Sequence, residues 1–236
     1  MSKAYKNIQI KSEWRLFDYF ANNFNSASHA LGVVIALIGL VALSYLSHGK
    51  PDYFVGALAF CLSAALLFGA SALMHFMTES FNLSQKLTFF LKDLDHSAIF
   101  LLIAGSYTPV MMTALDEPLR SRMLILVWSI AVAGILFTQF RRRLPLMFRN
   151  RFFQVANYLA MGWLALMCVG ELYANLSGPV FSLIVAEAIF YSVGALVYAF
   201  KWPNPKPPYF AFHQLWHIFV LMGFVCHLCA LLILYK

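Results

Sequence analysis

His213 and His217 stand four residues apart in "HQLWH" (213–217). That spacing puts two imidazoles on one helix face, a turn apart. In the zinc-protease signature H-E-x-x-H, two such histidines bind the metal and the Glu between them serves as general base. This chain has Gln214 in the Glu position, and a carboxamide cannot take up a proton. A metal centre built on this pair therefore needs a third ligand and a base from elsewhere.

The elements that would supply them are membrane helices. Of 236 residues, 61% are hydrophobic and 11% charged, with a mean hydropathy of +0.73. A soluble domain carries roughly 25% charged residues. The apolar stretches run near the ~20 residues that cross a bilayer. They predict an all-α protein, a polytopic seven-transmembrane helix bundle, with spans at 25–47, 53–76, 94–113, 121–140, 152–172, 179–200 and 210–235. Residues 1–24 are polar and basic, without the apolar region of a secretory signal. They read as a cytosolic amino-terminal segment before one membrane domain (25–236).

Charge sets the expected orientation. With the amino terminus inside, the cytosolic segments hold thirteen of the 17 Lys and Arg, leaving only Lys50, Arg120, Arg122 and Lys236 outside. The positive-inside rule then places the amino terminus in the cytosol and the carboxy terminus outside. The net charge of +7 is thus a matter of topology, with contact to anionic lipid, and does not call for a nucleic-acid partner. Cys61, Cys168, Cys226 and Cys229 all fall within spans. The last two form a C-x-x-C, which inside a membrane helix reads as small packing residues.

Ionisable side chains within membrane helices are costly, so each is a functional candidate. "SALMH" closes the second span, with His75 at its cytosolic end and Ser71 one turn deeper. "LDH" opens the third span and places Asp95 in its first cytosolic turn, while His213 and His217 occupy the first two turns of the seventh. Five residues from three helices thus converge on one depth. Three histidine nitrogens are the ligand set of a catalytic zinc with a fourth position for water, and His75 completes that set. Asp95 could offset the metal's charge and accept the water's proton, the job Gln214 cannot do. Ser71, four residues before His75, could hydrogen-bond the water or a developing oxyanion. The competing reading makes each histidine an interfacial hydrogen-bonder; the five together favour a metal site.

At these residues the chain resembles the haemolysin III branch of the progestin and adipoQ receptor (PAQR) family. The matching segments are "NSASHALG" (25–32), "SALMH" (71–75), "LDHSAIFLLIAGSYTP" (94–109) and "HQLWHIFVLMG" (213–223), which reach from the first span to the last. The wider superfamily, which includes alkaline ceramidases, shares S-x-x-x-H, the Asp and H-x-x-x-H. The resemblance implies a cytosol-side zinc held by His75, His213 and His217, with Asp95 and Ser71 beside it. It also implies a bacterial inner-membrane protein of membrane lipid homeostasis, with membrane lipids as partners. One departure is "ANNFN" (21–25), where family members often carry acidic residues.

Three function classes stay open at this point. One is a zinc-dependent hydrolase of a lipid amide or ester, with Asp95 as base and Ser71 at the oxyanion. Another is a receptor-like sensor with structural zinc; the third is a cytolysin. Among other residues, His29 lies at the depth of the metal and reads as a structural hydrogen-bonder. His96 points away from Asp95's face and receives no ligand role. Pro109, Gly69, Gly105 and Gly194 read as kink and close-packing residues, and "RRRLPLMFRNR" (141–151) as a topology determinant. Glu187, the one carboxylate deep in a span, is expected either to hydrogen-bond His227 at matching depth, or to stay neutral against a nearby Ser or Tyr or open onto a water-filled cavity.

Overall fold

The computed structural model describes the backbone of residues 3–207 and 210–236, with side chains from residue 23 onward except at position 79. The helices in order are α1 (Lys3–Leu46), α2 (Pro51–Ser80), α3 (Gln85–Ala114), α4 (Leu119–Phe140), α5 (Arg151–Gly162), α6 (Val169–Asn175), α7 (Gly178–Phe200) and α8 (Phe212–Leu234). Seven stretches among the described residues are long and apolar enough to cross a membrane, with α5 and α6 together forming the fifth. The chain is a multi-pass membrane protein. Around the bundle α1 packs on α2, α2 on α3 and α3 on α4, while α7 packs on α8, α8 on α1, and α5 on both α3 and α7. α3 is the central post: 72% of its apolar window is buried, against 22% for α4. Ile38, Val41 and Leu66 face outward, as lipid-contacting side chains do.

Lipid tails are as apolar as the helix faces, so the bundle depends on close packing and internal polar pairing. α2 and α3 meet through small residues. A Cβ on Gly56 would sit 2.7 Å from the Pro109 Cα, and one on Gly105 would overlap the Ser63 hydroxyl. Gly194 has the same role between α7 and α8, against Phe219, but Gly69 does not. Its nearest neighbour would be Val33 Cγ2 at 3.9 Å, an ordinary contact. Pro109 lies inside an uninterrupted α3.

Beyond the start of α1 at Lys3, ahead of the expected 25, two elements near the site differ from the sequence reading. α3 begins nine residues before the expected 94, because the Ser84 hydroxyl caps its start by accepting from Leu87 N–H at 3.3 Å. The helix therefore extends through a polar stretch that hydropathy assigns to a loop. Span 5, expected as one helix over 152–172, is broken by a 3-10 stretch at Trp163–Cys168. Backbone groups freed at membrane depth must find partners inside the protein. Tyr107 of α3 provides them: its hydroxyl donates to the Gly162 carbonyl at 2.7 Å and accepts from Ala165 N–H at 2.7 Å.

The early start of α3 places Asp93 within reach of the arginine run after α4. Arg141 Nη2 donates to Asp93 Oδ1 at 2.9 Å, and Arg142 Nε donates to Oδ2 at 3.0 Å. Arg141 also donates to Gln154 Oε1 at 3.1 Å and to His96 Nδ1 at 3.0 Å. "RRR" is thus a clamp joining α3, α4 and α5 as well as a block of positive charge. Asp93 is only 6% exposed, but Arg142 reaches solvent and Arg141 keeps other partners, so removing Asp93 costs less than the ~3–5 kcal/mol of a fully buried ion pair. Asp93→Ala is expected to lower the thermal unfolding midpoint in detergent accordingly. An unchanged midpoint would show that the clamp contributes no stability.

Candidate metal centre

α2, α3 and α8 bring their polar residues together at the end of the bundle that carries the arginine clamp. α8 starts there because Gln214 caps it: Ala211 N–H donates to Gln214 Oε1 at 2.9 Å, satisfying one of the unpaired amides of the first turn. The residue in the general-base position of the protease signature is therefore committed in part to holding the helix end. In its first two turns, His213 and His217 lie close to His75 of α2.

The three imidazoles form one cluster. One ligand atom from each lies within 4.8 Å of the others, and the ring centroids are 4.9–5.2 Å apart. His213 Nε2 and His75 Nε2 are 3.3 Å apart. Two nitrogens each about 2.05 Å from a tetrahedral metal are themselves about 3.3 Å apart. His217 Nδ1 is buried with no hydrogen-bond partner among the described residues. Both observations suit a metal ion, for which buried neutral imidazoles are good ligands. Asp95 is outside this mutually close set.

Asp95 and Ser71 are close enough for the hydroxyl to hydrogen-bond the carboxylate, and both line the cavity that the histidines face. His29 of α1 behaves differently from the expected hydrogen-bonder. Its ring stacks on His217 with centroids 3.7 Å apart and planes 24° apart, and neither nitrogen has a hydrogen-bond partner among the described residues. It fixes the orientation of His217 by contact between rings. His96, which received no ligand role, is tied instead to Arg141.

The cavity has a volume of about 180 Å³ and runs from the histidine cluster deep between α3, α5, α7 and α8. Its walls are mostly apolar, including Ile99, Leu102, Ile103, Leu159 and Val220. At the far end stand Glu187 and His227, with His227 Nδ1 2.6 Å from Glu187 Oε2. The expected pair is present. Ser106 and Tyr191, which the sequence reading passed over, also line this part of the cavity. Counting their depth along the spans, as for Glu187, would have placed them there. The four cysteines are free thiols.

A family model described as haemolysin-III related matches residues 17–228. The hemolysin-3 homolog of Bacillus subtilis (strain 168) is 38% identical over 203 residues, covering 84% of this chain and 87% of that protein. Hemolysin-3 of Bacillus cereus is 35% identical over 203 residues, covering 84% of each chain.

Proposed function

Because the chain belongs to the haemolysin-III-related family, we propose that it is a zinc-dependent protein of membrane lipid homeostasis that hydrolyses a lipid amide or ester. The site would lie on the cytosolic side of a bacterial inner membrane, the side to which the charge rule assigns the basic loops. One observation carries the reading: three histidines that can share a metal ion cluster at one end of an apolar cavity, which His213 and His217 line together with a carboxylate and a hydroxyl. A cytolysin has no use for that combination, and a purely structural metal has no use for the cavity.

His75, His213 and His217 would hold the zinc. When bound with three imidazoles, zinc supplies Lewis acidity for a carbonyl oxygen and for water at an open fourth position. Asp95 takes the proton of the attacking water at a carboxylate oxygen and passes it to the leaving group. The single Ser71 hydroxyl proton donates either to that carboxylate, orienting it, or to the oxygen on which negative charge develops. The apolar walls hold the acyl chain and keep bulk water from the reacting carbonyl.

The test is release of free fatty acid from lipid extract by the purified protein in proteoliposomes, with and without a zinc chelator. Chelator-sensitive release is the expected result. Dye leakage from the same vesicles without fatty-acid release, unaffected by chelator, would favour the cytolysin instead.

A further inference from the structure

The far end of the cavity holds more polar groups than an acyl chain needs. Ser106 is eleven residues beyond Asp95 on α3, and His227 ten beyond His217 on α8. At about 1.5 Å per residue both lie roughly 15–16 Å from the metal-centre layer. On α7, Glu187 and Tyr191 are four apart and share a face. Tyr191 lies against Gly223 of α8, where a Cβ would meet its ring, and Gly223 is one turn before His227. Glu187, His227 and Ser106 therefore share one depth, and Tyr191, one turn nearer the metal centre, extends that polar layer. Phe60 covers the His227 ring, with centroids 4.4 Å apart.

Three atoms in this layer are buried without a hydrogen-bond partner among the described residues: Ser106 Oγ, Tyr191 Oη and His227 Nε2. All three residues line the same cavity. Buried polar atoms are ordinarily paired, because leaving one unmade costs about 1–3 kcal/mol. Their chemistry is complementary. His227 Nδ1 and Glu187 Oε2 share one proton; in the tautomer with a neutral ring and Nδ1–H donating, the Nε2 lone pair is an acceptor. The Ser106 and Tyr191 hydroxyls can donate. A group that donates one hydrogen bond and accepts another, without charge, satisfies them together. A hydroxyl is such a group; a methyl terminus leaves all three unpaired, and a carboxylate would face the Glu187 carboxylate.

We propose that Ser106, Tyr191 and His227 form a second subsite, which binds a neutral hydroxyl on the acyl chain of the lipid whose carbonyl lies at the histidines. This inference rests on the lipid-site reading and extends it to a substrate class, hydroxylated acyl chains. With C–C bonds of about 1.5 Å in zigzag, an extended dodecanoyl chain reaches roughly 14 Å, which matches the separation of the two layers.

Equilibrium binding of dodecanoic acid and ω-hydroxydodecanoic acid to the purified, zinc-loaded protein tests it. The wild type should bind the hydroxy acid about tenfold more tightly, the equivalent of one to two buried hydrogen bonds. Ser106→Ala and Tyr191→Phe break no bond seen in the structure, so both should fold and keep dodecanoic acid binding while losing most of that preference. Equal affinity for both acids in the wild type, or a preference unchanged in both variants, would overturn the subsite and leave the lipid site standing. Failure of either acid to bind would overturn both readings.

Discussion

Purified His217→Ala protein should carry less than about a tenth of the zinc bound by the wild type when both are dialysed against the same buffered free zinc. Two histidines remain in that variant, and two imidazoles alone hold zinc weakly, short of the three or four protein ligands that zinc sites use. His217 is also the most enclosed of the three, 2% exposed and stacked on His29. His75→Ala and His213→Ala should behave alike, because each removes one partner of the 3.3 Å nitrogen pair. Atomic emission analysis of metal per chain reads the result. Full occupancy in any of the three variants would remove that histidine from the ligand set.

Asp95→Asn should retain most of its zinc and lose lipid hydrolysis by about 10²–10⁴-fold, the range over which a general base contributes. The substitution is isosteric, keeps an acceptor for Ser71 and leaves the three histidines untouched. Turnover must fall because a carboxamide cannot take the proton of the attacking water. The pairing of intact metal content with lost turnover separates a base from a ligand. Loss of zinc in this variant would make Asp95 a ligand, and undiminished hydrolysis would leave it without a chemical role.

The histidine cluster was legible because its signals are local. The i, i+4 spacing of His213 and His217 is set by helix geometry, and His75, Ser71 and Asp95 lie near span ends whose depth follows from counting residues. The same counting paired Glu187 with His227, which stand 2.6 Å apart. What counting missed depends on contacts between distant segments. The break at Trp163–Cys168 contains no proline and is accommodated by the Tyr107 hydroxyl, 55 residues away from Gly162 in sequence. The early start of α3 rests on a serine cap, and the Asp93 clamp exists only once that extra helix brings Asp93 to Arg141 and Arg142. His29 stacks on His217 because of how α1 lies beside α8, a relation between the two ends of the chain. Gly69 illustrates the opposite failure: a glycine in an apolar span suggests close approach, yet its neighbourhood is open.

X-ray absorption spectroscopy at the zinc edge on the purified protein tests the central claim most directly. The proposed site predicts one zinc per chain with three imidazole nitrogens at about 2.0–2.1 Å and one non-protein oxygen. Four protein ligands, sulfur in the first shell, or protein that binds no zinc would contradict it.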